Sequence, residues 1–206
     1  MRNVKKEVLL FSDGDVGDVK RWYLLMMSSS GSVGGPKGQS PLERLLGEHQ
    51  PPPLPEGADY REAAEAIGAA IMQAGLVNPQ RFFAVLAEEP SLHEHSDVIW
   101  ALGAIKNRLA IPILSAAMRS RSAHIRWAAA SSLAEYREEE ALAALLAALG
   151  DRAPSVRHVV IEALGRQGNR RAVDPLRAAQ ERPANRKSAY TLQLIAQALD
   201  QLCASG

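Results

Sequence analysis

Cysteine occurs once in the 206 residues, at Cys203. One thiol builds neither an internal disulfide nor a cysteine-based structural zinc site, and it fits a reducing compartment, so a cytoplasmic location is the expectation. Long hydrophobic runs are also lacking. No stretch nears the roughly 18 apolar residues of a membrane span, which predicts a soluble chain with no membrane partner. Near the start, the basic residues Arg2, Lys5 and Lys6 precede Val8-Leu9-Leu10-Phe11, but that run stops at Ser12-Asp13, too short for a secretory core. Nor is there an excess of either charge: 24 Lys and Arg against 23 Asp and Glu leave a formal charge of +1. That balance argues against a polycation or an acidic tail protein, and any electrostatic role must be local. The length allows one domain, or a small domain with an appended segment, and enough chain for a real core.

Composition changes near residue 57. Before it lie a glycine- and serine-rich tract at 28–38 and the run Pro-Pro-Pro-Leu-Pro at 51–55. The first cannot bury apolar surface and the second cannot continue a helix, so both read as linkers. Between them, 41–49 predicts a short helix with Ser40 as N-cap and Pro41 at the first helical position. Upstream, 16–27 carries Val16, Val19, Trp22, Tyr23 and Met26 at helical spacing, while Val8 to Phe11 is compatible with a short strand. The expected division is therefore an N-terminal segment, 1–57, and a helical part, 58–206.

From residue 58 the chain is helical in period and rich in alanine, with 15 alanines between 101 and 150. The predicted helices are 59–74, 79–88, 94–106, 110–118, 123–136, 139–149, 154–167, 171–180 and 186–202, with no strand between them. A shift of 31 residues superposes Ala101-Leu102-Gly103 on Ser132-Leu133-Ala134 and on Ala163-Leu164-Gly165. The same shift aligns Ala110-Ile111, Ala141-Leu142 and Ala172-Val173, then Leu114, Leu145 and Leu176. Three successive units thus share one register, and the repeating part is a helical hairpin.

The pattern Val156-Arg157, Ala163-Leu164-Gly165 and Ala172-Val173-Asp174-Pro175-Leu176 resembles the HEAT-like repeat of the phycobilisome lyase type. The preceding unit repeats it as Ile125-Arg126, Leu133-Ala134 and Ala141-Leu142, and the unit before keeps Ala101-Leu102-Gly103 but has Glu94-His95 in place of the Val-Arg pair. The resemblance covers about residues 94–181. It implies an all-α superhelix, a solenoid of stacked antiparallel hairpins. A lone hairpin cannot bury its apolar face, so neighbouring units must share a core, present a curved surface and end in atypical units. In such repeats an arginine at the position of Arg126 and Arg157 usually pairs with an aspartate preceding it in the turn between units. Asp151 stands suitably before Arg157, whereas Ser120 occupies that place before Arg126.

Trp127 and His158 share one repeat position, with Ser96 as the earlier equivalent. Variation there fits a binding surface or a packed flank, and Trp100 and Tyr190 add further large rings on helices. Between Arg119 and Lys187 there are 13 basic and 8 acidic residues, a local balance of +5. If Arg119, Arg152 and Arg186 align at successive turns, they form a basic ridge suited to an acidic protein surface or a nucleic-acid backbone. Catalytic patterns are weak. His93 and His95 are two apart and point to different faces of a helix; Asp13 to Asp18 lacks the ordered ligands of a calcium loop; and Gly34-Gly35-Pro36-Lys37-Gly38 lacks the ending of a phosphate loop. No catalytic residue, cofactor or metal ligand is assigned. The expected function is a non-catalytic scaffold or adaptor that binds another protein through its curved surface, with Arg126, Trp127, Arg157, His158 and Arg186 as the contact neighbourhood. The alternatives are a lyase-type subunit, which the resemblance implies, and a nucleic-acid-binding module using the C-terminal arginines.

Overall fold

In a computed structural model, residues 40–51 and 60–204 are described. The readings for 8–11 and 16–27, and the tract at 28–38, lie outside them. Helix starts follow the capping chemistry of the sequence. Ser40 accepts the Glu43 N–H while the Glu43 carboxylate accepts the Ser40 N–H, a reciprocal capping box that opens α1, Pro41–Leu46. Asn78 caps α3, Pro79–Glu88, and Ser122 caps α6, Ala123–Leu133. Pro154 fills the first position of α8, Pro154–Gln167, where a missing N–H costs nothing. The other long helices are α2, Tyr60–Val77; α4, Ser96–Ile105; α5, Ala110–Ala117; α7, Glu139–Ala148; α9, Val173–Gln180; and α11, Ala189–Ala204.

Three predicted helices are divided. Extended backbone at His95 separates α4 from a 3-10 turn, Pro90–Glu94. Asn169 accepts the Arg171 N–H and tightens Arg170–Ala172 into a second 3-10 turn ahead of α9. The last predicted helix is preceded by α10, Pro183–Arg186, and α11 restarts with Ser188 accepting the Thr191 N–H.

The leading helices of successive hairpins, α2, α4, α6, α8 and α11, pack one on the next, and α3, α5, α7 and α9 return behind them. This is an all-α solenoid of stacked antiparallel hairpins. Its core is one continuous apolar cluster from Leu42 to Leu202, as expected when no unit can bury its own face. Small residues set the approach of the leading row. A Cβ added to Gly103 would lie 2.8 Å from the Ser132 side chain, and one on Gly165 would lie 3.0 Å from Cα of Ala198. The helix α1 joins this core by burying Leu42, Leu45 and Leu46, and Arg44 pairs with Glu88 and Glu89 at the end of α3. Composition groups 41–46 with the linkers, but three leucines on one short helix make it part of the first unit's packing.

The turns lie at two edges of the stack. Within-unit turns, joining a leading helix to its return, occupy one; between-unit turns, joining a return to the next leading helix, occupy the other. No helix among the described residues is long and apolar enough to cross a membrane.

Candidate functional site

Arg126 and Arg157 sit one turn into α6 and α8, and a helical side chain leans toward its own N-terminus, here into the between-unit turn. Nη1 of Arg126 donates to the carbonyls of Ser120 (2.9 Å) and Arg121 (3.1 Å). Nη1 of Arg157 repeats this with Asp151 (2.9 Å) and Arg152 (3.4 Å), at the same offsets along the chain. The rest of each guanidinium reaches forward to the following turn. Arg126 holds Asp151 in a fork, Nε to Oδ2 at 2.7 Å and Nη2 to Oδ1 at 2.9 Å. Arg157 donates from Nε to Oδ1 of the buried Asn185 (2.9 Å), whose Nδ2 donates to the Ala179 carbonyl (2.9 Å).

The pairing expected from the repeat is therefore corrected in direction. Asp151 gives its carboxylate to Arg126 of the preceding unit and only its backbone carbonyl to Arg157. Burial pushes the Asp151 carboxyl up, but the Arg126 fork, the Ala153 N–H and the charges of Arg126 and Arg152 outweigh it and hold the group below the usual carboxylate range. The same hydrogen bonds raise Arg126 further above its already high value against the opposing effect of burial.

On the leading row, above these turns, lies a set of rings. Trp100 on α4 meets Trp127 on α6 edge to face, centroids 5.4 Å apart, and His124 stacks on Trp127 at 6.1 Å. His158 on α8 meets Tyr190 on α11 edge to face at 4.9 Å. His158 Nε2 is 2.9 Å from Oγ1 of Thr191, whose hydroxyl bonds to Ser188 at 3.0 Å. Burial, and then the neighbouring Arg157 charge, lower the His158 pKa, so the neutral ring is favoured near pH 7.

Of the five residues singled out from sequence, two change place. Arg126 and Arg157 are only 4% and 7% exposed, and internal oxygens take up their guanidinium donors, so they hold turns together rather than face a partner. Trp127 and His158 are half-buried on the leading face, and Arg186 is exposed at the end of α10. Tyr190, 55% exposed, is the most open ring of this set. Sequence reasoning missed the contact between successive turns: Nη2 of Arg152 donates to the Arg121 carbonyl at 2.8 Å, and Arg182 lies over Gly150, where an added Cβ would come within 2.5 Å of its Nη1. The repeat shift does carry that signal, since it places Arg121 on Arg152.

The within-unit edge carries surface ion pairs, Lys106 with Glu135 at 3.0 Å, Arg108 with Glu138 and Glu140, and Arg171 with Glu139, beside the exposed Arg137, Arg166 and Arg170, which form none among the described residues. An open groove of about 640 Å³ there is lined by Lys106, Glu135, Arg137 and Arg166 among others. No group of three His, Cys, Asp or Glu side chains suited to a metal ion occurs among the described residues, which includes His93 and His95.

The HEAT-repeat family model matches the chain twice, over residues 79–153 and 114–200. The chain is a HEAT-repeat protein. The matches begin at α3 and run into α11, so they span the arginine ladder and the ring set together. A search of curated proteins finds no match to this HEAT-repeat protein.

Proposed function

We propose that this HEAT-repeat protein is a non-catalytic scaffold that binds another protein on the face of its leading helices. The observation that carries the reading is the row of rings, Trp127, His158 and Tyr190, held partly or largely exposed on three neighbouring helices. Aromatic and arginine side chains supply most of the affinity at protein interfaces, and a ring already fixed by packing loses little freedom on binding. In this reading Trp127 and Tyr190 are the anchors, His158 fixes Tyr190, and Arg186 borders the contact. Arg126 and Arg157 act beneath it by keeping the helices in register.

The test is capture from native lysate at moderate salt after nuclease treatment, comparing wild type with Tyr190→Ala and Trp127→Ala. Tyr190 is the safer probe of the surface because its removal leaves no core cavity, and circular dichroism checks that each variant is folded. One protein held stoichiometrically by wild type and lost by folded Tyr190→Ala supports the reading. Recovery of nucleic acid that vanishes with nuclease, or of a tetrapyrrole-bearing protein whose chromophore is transferred, would move the assignment to one of the two alternatives.

A further inference from the structure

The between-unit edge carries an excess of positive charge. The turns at 118–122, 149–153 and 181–188 contain Arg119, Arg121, Arg152, Arg182, Arg186 and Lys187, against Asp151 and Glu181. Asp151 is spent on the buried Arg126. All six cations are exposed, and among the described residues none of them forms an ion pair. They are also aligned. Arg152 reaches back to the Arg121 carbonyl, and Arg182 reaches back over Gly150, so each turn's arginine overlies the turn before it. Glu94, which accepts the Ser120 hydroxyl at 2.6 Å, marks where the basic edge ends.

We infer that this basic edge docks an extended acidic segment of the partner protein, with apolar residues of the same segment reaching Trp127 and Tyr190. The inference rests on the protein-binding reading above and adds the chemistry of the partner. Packed helices lie about 8–10 Å apart, so one exposed arginine per turn repeats at about that distance. A peptide in the polyproline II conformation advances about 3.1 Å per residue with about three residues per turn, so every third side chain lies on one face and meets the next turn. The arginine fork suits carboxylates at that spacing. The rings lie within the first two turns of α6, α8 and α11 and therefore directly border the charged edge. Trp127 is already packed on His124 and against Trp100, so a nucleobase has to displace a ring contact to stack on it. A peptide side chain needs only the exposed rim. The total charge of +1 also favours a short acidic strip over a long phosphate backbone.

The experiment is fluorescence anisotropy with the full chain and a labelled peptide of about twelve residues, repeating Glu-Gly-Leu, long enough to cross three turns. A Gln-Gly-Leu peptide and a single-stranded oligothymidylate of the same length serve as comparisons. The Glu peptide is expected to bind about tenfold or more tighter than the Gln peptide at low salt, and to weaken severalfold as salt rises toward 0.2 M. Arg152→Glu should abolish that preference, Arg152→Gln should reduce it, and Arg171→Gln on the opposite edge should leave it intact. Equal binding of the two peptides, no binding of either, wild-type affinity in folded Arg152→Glu, or tighter binding of the oligothymidylate would each overturn the inference. If Arg152→Glu still captures the lysate partner that Tyr190→Ala loses, the acidic segment is wrong and the protein-binding reading stands.

Discussion

The two edges of the stack use the same charged residue types in opposite ways. At the within-unit edge the charges face each other across successive turns, as in Lys106 with Glu135 and Arg171 with Glu139, and the polar work beneath is done by neutral groups. The Tyr136 hydroxyl donates to the Leu102 carbonyl, and Nε2 of Gln167 donates to the carbonyls of Tyr136 (2.8 Å) and Leu133 (3.3 Å). At the between-unit edge the ion pair lies underneath, and among the described residues none of the exposed arginines above it forms one of its own. Stability therefore resides in a buried charge at one edge and in buried neutral hydrogen bonds at the other. The between-unit edge thus presents exposed cations without ion pairs, whereas at the within-unit edge Arg137, Arg166 and Arg170, which form none among the described residues, stand beside paired charges.

The largest effect should come from Asp151→Ala. It strands Arg126 in a buried site, and removing one partner of a buried pair costs about 3–5 kcal/mol. Urea denaturation measures it, and a loss under about 1 kcal/mol would mean that water replaces the carboxylate and the pair is not the strut of that edge. The edges should also respond to opposite ends of the pH scale. Asp151 has a lower pKa folded than unfolded, so its contribution is full above the unfolded value of about 3.9 and disappears as pH falls through the folded one. Burial, then the charges of Glu138 and Glu135, push the Tyr136 phenol up to about 12, despite a backbone hydrogen bond at Asn107 that lowers it. Its contribution is present below the unfolded value of about 10 and is lost as pH rises toward 12. Thermal melts should show the acid limb flattened in Asp151→Asn and the alkaline limb flattened in Tyr136→Phe. The opposite assignment would erase the contrast.

At neutral pH, Tyr136→Phe should cost about 1–2 kcal/mol, the worth of a buried hydrogen bond whose acceptor is left unpaired. Smallest of all, Arg171→Ala at the exposed Glu139 pair should change stability by about 0.5 kcal/mol or less, and high salt should remove even that. A larger loss would show that the surface pairs of the within-unit edge are structural.

Much of the fold can be read from the chain because its signals are local. Pro79 and Pro154 open helices at their predicted first residues, and Gly168 closes α8 in the left-handed conformation. The 31-residue register carries the stacking, since residues that share a position form equivalent contacts. What does not follow from sequence is which way a long side chain crosses between units. Arg157 has Asp151 six residues before it and Asn185 twenty-eight after it, and both satisfy its chemistry. The choice is made by stacking, which brings the following turn over the guanidinium. The same ambiguity makes Arg126 look unpaired, because its aspartate belongs to the next unit. For the ring set, repeat position locates Trp127 and His158, but Tyr190 falls one residue beyond the equivalent position, which is Ala189.

The reach of Asp151 also determines where the molecule can be cut. Its carboxylate completes the unit before it while its carbonyl serves the unit after it. A hairpin excised at the end of α7 would keep Arg126 and lose its counter-ion, whereas one carrying five more residues would retain both. The indivisible module is thus a hairpin together with the turn that follows it. Any insertion or deletion of a repeat that the fold tolerates should have its boundaries beyond that turn.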